Sequence, residues 1–261
     1  MLKHAPDISL RTLLEIFNDI WLTGNYPTSW TESTIIPLPK PDKDHTSPQS
    51  YRPIALTSCV CKTFERMVSN RLTWYLETNN ILTELQSGFR KERSTTDQLV
   101  RLESFVREAF VRGEHVVSVL FDLEKAYDTT WRYGIMQDLQ DAGLRGRLPG
   151  FISNFLGNRN FQVRVGSCLS DYYKQEMGVP QGGVLSVILF VLKINNIIKC
   201  LPVGVRGSLF VDDFLICYRS KNMNSIERVL QGCFKNKLES WSDNNGFLFE
   251  TKTVCMLFCN K

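Results

Sequence analysis

The chain has 261 residues, 43% apolar and 22% charged, with a formal net charge of +4, an ordinary balance for one large globular domain or two small ones. No apolar run approaches the ~18 residues of a membrane span, and the opening MLKHAPDISL lacks the apolar stretch of a secretory signal, so an intracellular setting with no membrane partner is expected. The 8 cysteines show no paired spacing, so they are expected as free, mostly buried thiols rather than a disulfide or zinc framework.

Leu10, Leu13, Leu14, Phe17, Ile20 and Trp21 recur at helical spacing and stop at Gly24, which predicts a first helix. STIIPLP and YRPIALT read as strands bracketing a Pro-rich stretch from Pro37 to Pro53, expected as an ordered extended loop. Phe64, Met67, Val68, Leu72, Tyr75 and Leu76 predict a second helix. A third opens at Ser94 to Asp97, STTD, a start of capping-box type, and carries Leu99, Leu102, Val106 and Phe110 on one face. VVSVLFD (116 to 122) reads as a buried strand, and FQVRV (161 to 165) as a half-exposed one paired with YYKQEM (172 to 177). Helical spacing returns at 184 to 198 and at 224 to 242. Between these two segments SLFVDDFLICY (208 to 218) reads as a β-hairpin with Asp212 and Asp213 making the turn. The class is α+β, a sheet with helices packed on one face.

Asp212 and Asp213 interrupt a run that is otherwise apolar from Leu209 to Tyr218, and an unpaired buried charge is expensive. Asp122 ends a second apolar strand. If the two strands are neighbours, three carboxylates converge, their repulsion raises at least one pKa, and a hard divalent cation such as Mg²⁺ relieves it. Plain alternatives stand beside this: Asp is common in tight turns, and Asp122 could cap the element after its strand. MGVPQGGVLSVILF (177 to 190) adds Gly178, Gly182 and Gly183 around Pro180, a turn into a helix where backbone can approach a flat or phosphate-bearing ligand, with Gln181 beside it.

In order, FDLEKAYD, GVPQGGVLSVILF and FVDDF resemble the palm of reverse transcriptases. IIPLPKPDKD…YRPIALTSCVCKTFERMVSNRL and ILTELQSGFRKERSTTDQL are similar to the two fingers blocks of LINE-type (non-LTR) retrotransposon polymerases of the jockey-like group, so the resemblance runs from about Ile35 to Phe258. It implies a polymerase right-hand fold of α+β class: a palm with an antiparallel sheet backed by helices, and a helical fingers region. The expected division is 1–34 as an N-terminal helical extension, 35–115 as fingers and 116–261 as palm, with some intermixing and with neither thumb nor endonuclease.

The implied activity is RNA-directed DNA polymerisation, with an RNA template, a DNA primer, dNTPs and two Mg²⁺ ions, or Mn²⁺ in their place. Asp122, Asp212 and Asp213 match the metal-holding aspartates, Asp212 being expected as the firmer ligand, and the backbone carbonyl of Leu123 matches a further metal contact. Tyr127 matches the aromatic gate against a ribose 2′-hydroxyl. Gln181 and Gly182 match residues that line the nucleotide pocket. Arg52 and Arg90 match fingers residues that approach the triphosphate, for which arginine suits bidentate bonding; structural ion pairs are the plain alternative. Lys252 matches a general acid beside the leaving pyrophosphate. Val211 stands where relatives usually carry Ala, and Val187 where many carry Pro, both read as neutral apolar exchanges. Two other readings remain open. One is a truncated, catalytically silent remnant that binds nucleic acid; the other is a viral RNA-dependent RNA polymerase, against which Tyr127 argues.

Overall fold

The computed structural model describes residues 4–259; the first three and last two residues of the expected N-terminal extension and palm lie outside that range. The chain forms two compact units, one made of Met1–Trp74 and Arg132–Ser186, the other of Tyr75–Trp131 and Val187–Lys261. The expected boundaries at residues 34/35 and 115/116 are therefore not where the compact units part. Among the described residues no helix is long and apolar enough to cross a membrane.

In the first unit α1 (Asp7–Thr23) ends where expected, at Gly24 in the left-handed conformation with its amide on the Ile20 carbonyl. Its buried face is narrower than the periodicity suggests, comprising Phe17 and Ile20, while Leu10 and Leu14 are exposed. A one-turn helix, α2 (Thr28–Thr31), leads into β1 (Glu32–Pro39), which pairs antiparallel with β2 (Tyr51–Leu56). The prolines fit because pairing of β1 with the next strand of its sheet stops at Ile35. Beyond that point Pro37 and Pro39 lie on an open edge, where a missing N–H leaves no ladder position unfilled. Helix α3 (Cys59–Thr78) follows; α4 (Thr95–Val111), in the second unit, has the Ser94–Asp97 capping box that STTD promised.

Strand β3 (His115–Phe121) precedes a short helix, α5 (Ala126–Thr129). Helices α6 (Arg132–Asp141) and α7 (Arg147–Leu156) were not marked by their periodicity. Strand β4 (Asn160–Val165) lies parallel to β1 and takes two short antiparallel partners, β5 (Cys168–Leu169) and β6 (Tyr173–Lys174). Helix α8 (Val184–Ile194) gives way to a 3₁₀ segment, Asn195–Cys200.

Strands β7 (Arg206–Phe210) and β8 (Asp213–Ser220) follow, then α9 (Met223–Cys233), a π-helical stretch (Phe234–Leu238), α10 (Glu239–Asn245) and β9 (Val254–Phe258). The 224 to 242 helix is thus one path carrying a π-bulge.

The strands do not form the single sheet expected. One sheet runs β2-β1-β4-β5 with β6 also on β4, the other β7-β8-β3-β9. Nor are helices confined to one face of the second sheet. Val117, Phe121, Phe214 and Ile216 pack with Ile226, Leu230 and Cys233 of α9, whereas the alternate residues Val116 and Cys217 pack with Phe105, Val106 and Ala109 of α4. The continuous burial of residues 116 to 118 in β3 is the mark of a strand covered on both sides. All eight cysteines are free, but only Cys61, Cys217 and Cys233 are buried, fewer than expected.

Candidate active site

In the β7–β8 hairpin Phe210 pairs with Asp213, so the turn consists of Val211 and Asp212, one residue earlier than the sequence suggested. Asp213 is the first residue of β8. The consequence is separation: adjacent aspartates, one on a turn and the other in a pleat, present their carboxylates differently. Val211 has φ of 62°, a glycine seat in a two-residue hairpin. For a β-branched residue this conformation costs about 1–3 kcal/mol, so Val211 is not the neutral exchange it looked.

Strand β3 runs antiparallel to β8, with Phe121 opposite Phe214 at the last pair. One further step in that register sets Asp122 across from Asp213. Asp212 is half-buried, while Asp122 and Asp213 are exposed. The Asp212 carboxyl is raised above the usual carboxylate range, first by burial and then by the charges of Asp213 and Asp122, against a lowering bond from its own amide. Asp213 is raised by burial and by Asp122. Three acids therefore share one electrostatic neighbourhood at one end of the sheet.

Beyond Asp122 the chain pairs with the segment before β9. The Glu250 amide donates to the Asp122 carbonyl (2.8 Å), and Glu124 donates to Leu248 (2.8 Å). These bonds flank the Leu123–Phe249 bridge and leave the Leu123 carbonyl outside it. The main β3–β9 ladder resumes only at Leu120 opposite Val254. Glu250 to Thr253 therefore bulge out beside Phe121 and Asp122, and Lys252 is in that bulge, exposed. Tyr127, on α5, stacks on Phe190 (centroids 4.6 Å apart, planes at 19°). Its hydroxyl is pushed well above the ordinary tyrosine range by burial and then by the Asp212 charge.

In the other unit, the Gln181 carbonyl accepts from the Ala55 amide of β2 (2.7 Å). Gly182 has φ of 118°, and a Cβ there would lie 2.5 Å from the Ala55 carbonyl oxygen. Gly182→Ala should lose about 1–3 kcal/mol to backbone strain alone, read as a lowered urea midpoint with unchanged slope. A midpoint equal to wild type would show that the turn can move away from β2. Arg52, on β2, is exposed and forms no ion pair with a described residue.

The profile described as "Reverse transcriptase (RNA-dependent DNA polymerase)" matches residues 38–257. The chain belongs to the reverse transcriptase family. Among its relatives, the probable RNA-directed DNA polymerase from transposon BS of Drosophila melanogaster is 31% identical over 246 residues, 92% of this chain and 27% of that protein. The RNA-directed DNA polymerase from mobile element jockey of the same species is 29% identical over 267 residues, 100% of this chain and 29% of that protein. The chain thus spans 27–29% of the length of these curated relatives. Telomerase from Candida albicans, solved with a fragment of telomeric RNA, superposes with a TM-score of 0.63 at 15% identity over 96% of this chain and 46% of its own. At that identity the likeness is one of fold, the α+β right-hand fold of reverse transcriptases.

Reverse transcriptases use divalent metal ions. The donors at the end of β3 suit one: hard carboxylate oxygens, two of them with raised pKa, repelling one another. Among the described residues no three His, Cys, Asp or Glu side chains are gathered tightly enough to cage an ion by themselves. Mg²⁺ is commonly held by one or two carboxylates with substrate phosphates and water, which such an open set permits.

Arg90 does not fit the triphosphate role that the family resemblance implied. Its guanidinium is buried and spent: Nε donates to Glu77 Oε1 (2.8 Å), Nη2 to the other Glu77 oxygen, and Nη1 to the carbonyls of Thr83 and Gln86. With these bonds made, it ties the loop after α3 together.

Two residues escaped the sequence reading. Glu65, 1% exposed, accepts from the Val184 and Leu185 amides at the start of α8 (2.6 and 3.1 Å) and from the Cys61 thiol. The available signal was a charge on the apolar stripe of Cys61, Val68 and Leu72. Gln86, fully buried, bonds Val211 on both its amide and its carbonyl. Nothing in the sequence marks it except its place in LQSGF.

Proposed function

We propose that this chain supplies the catalytic part of an RNA-directed DNA polymerase of non-LTR retrotransposon type, adding deoxynucleotides to a DNA primer 3′-hydroxyl on an RNA template. The observation that carries the reading is the meeting of Asp122, Asp212 and Asp213 at one end of a sheet, in a chain whose family reverse-transcribes. In this reading the three aspartates and the Leu123 carbonyl hold two Mg²⁺ ions, or Mn²⁺. Bound there, the two ions lower the pKa of the primer hydroxyl and neutralise charge on the α-phosphate and the pyrophosphate. The chain's own part is positioning. The hairpin aims Asp212 and Asp213, the ring of Tyr127 excludes a 2′-hydroxyl, and Gln181, Gly182 and Arg52 serve the nucleotide. Lys252 donates a proton to the leaving group. Fingers (35–115) and palm (116–261) are the corresponding division, with intermixing.

Extension of a DNA primer on an RNA template, assayed on the longest natural polypeptide that carries this chain, should require Mg²⁺ or Mn²⁺ and cease on chelation. Metal-independent extension, or none with either ion, overturns the reading. Tyr127→Ala should raise ribonucleotide incorporation relative to deoxynucleotide by at least about tenfold, since a pocket that rejects one added hydroxyl does so by about 10²-fold. An unchanged ratio would return Tyr127 to a packing role against Phe190.

A further inference from the structure

The turn carrying Asp212 places Val211 in a conformation that suits glycine, and one side chain from outside the hairpin bonds to both polar groups of the Val211 backbone. Oε1 of Gln86 accepts from the Val211 amide (3.0 Å) and from the Gly88 amide (2.8 Å), and Nε2 donates to the Val211 carbonyl (3.2 Å). The orientation of the Gln86 amide follows from its partners, because a flipped group would set NH₂ against two N–H donors. Gln86 is fully buried. Behind it the loop runs as a strap along the edge of β7, with the Leu209 amide on Leu85 (2.9 Å) and the Ser87 amide on Leu209 (3.0 Å). The approach is close enough that a Cβ on Gly88 would meet the Val211 nitrogen at 2.4 Å. Gln98 fastens the strap to Leu85, Ser87 and Ser208, and Arg90 fastens the Gln86 carbonyl (3.1 Å) to the Glu77 pair.

We propose that Gln86 is a positioning residue. It holds the Val211 backbone left-handed and so aims the Asp212 carboxylate; what Asp212 then does with metal rests on the polymerase reading above. The role differs from packing in one respect. Glycine at this position adopts φ of 62° unaided, so Val211→Gly should make Gln86 largely dispensable.

The test compares wild type, Gln86→Met and Gln86→Met with Val211→Gly by amide hydrogen exchange at position 211 and at Gly88, by Mn²⁺ binding followed by electron paramagnetic resonance, and by primer extension. Gln86→Met should speed exchange at the turn and weaken Mn²⁺ binding and extension by about 10–100-fold, the range for partners that orient metal ligands. Val211→Gly should restore all three to within about threefold. Unchanged exchange and Mn²⁺ affinity in Gln86→Met, or no recovery with Val211→Gly, overturns the proposal. Gln86→Asn, polar but one carbon short, is the milder variant if Gln86→Met does not fold. If every variant unfolds even when combined with Val211→Gly, Gln86 is a stability residue only and the positioning role is rejected. Wild type that binds Mn²⁺ but does not extend primers would instead refute the polymerase reading, leaving the exchange result to judge Gln86.

Discussion

Asp212→Asn should abolish primer extension and at the same time raise the thermal midpoint of the fold at pH 7. The two effects have one origin. Asp212 is raised by burial and by the charges of Asp213 and Asp122, so its ionised form is less at ease in the folded chain than in the unfolded one. A carboxyl of this kind weakens the fold when charged. The penalty is absent below the ordinary carboxylate pKa, near ~3.9, grows as pH rises to the folded pKa, and stays constant above it. Asparagine has the same shape and no charge. The gain in midpoint should therefore be present at pH 7 and vanish by about pH 2.5, well below the unfolded value. Mg²⁺ or Mn²⁺ should narrow the gap at pH 7 by stabilising wild type more than the variant, since only the former offers the full carboxylate set. Activity should fall by more than about 10²-fold, because even an outer-shell partner of a metal ligand is worth 10–100-fold. Calorimetry at the two pH values, with and without metal, and extension assays on the same preparations check both halves. A variant no more stable than wild type at pH 7 would show that neither burial nor the neighbouring acids penalise the Asp212 charge, and a fully active one would remove Asp212 from the chemistry.

What could be read from the sequence was what is local. The hairpin around Asp212, the buried strand ending at Asp122, the helix stop at Gly24 and the capping box at Ser94 each depend on residues within a few positions of one another. What could not be read depends on distant partners. Strand β1 pairs with β4 across more than a hundred residues, and no periodicity announces which sheet a strand will join. Arg90 looked like a phosphate ligand because GFR matches a fingers motif of the resembled family; its partner is decided by Glu77 on the preceding helix. The turn was misplaced by one residue because aspartates favour turns and a valine at positive φ does not. That choice is reversed by Gln86, far away in sequence. Helices on both faces of the second sheet were, by contrast, legible in VVSVLF, which is apolar but for Ser118 and does not alternate, and were missed because one open face was assumed.

Glu65→Ala should be among the most destabilising single changes in the first unit, at about 3–5 kcal/mol, because three buried donors lose their acceptor at about 1–3 kcal/mol each. Glu65 and Arg159 are each 1% exposed, and both act on Tyr26 and Cys61. The Cys61 thiol is pushed up to about 12, first by burial and then by the Glu65 charge, so it stays protonated and donates to Glu65 Oε1 (3.1 Å). Glu65 Oε2 takes the two first amides of α8, where the helix dipole favours an anion. Alanine leaves those amides and the thiol without their acceptor and leaves Arg159 as a buried cation facing less negative charge. Glutamine preserves volume and one acceptor oxygen but must turn NH₂ toward the amides or toward the thiol, so its cost should be smaller, about 1–3 kcal/mol. Urea denaturation should therefore rank wild type above Glu65→Gln above Glu65→Ala. The consequence reaches function through one short step of chain: Gln181, Gly182 and Gly183 stand directly before the capped amides, and a Cβ on Gly183 would lie 3.4 Å from Glu65 Oε2. An uncapped α8 lets that turn drift from β2; with Gln181 and Gly182 serving the nucleotide as proposed above, nucleotide KM should rise in the same order as stability falls. Equal stability of Glu65→Ala and wild type would mean that water or another group caps α8. A KM unmoved in a destabilised Glu65→Ala would separate the cap from the nucleotide and confine Glu65 to holding the fold.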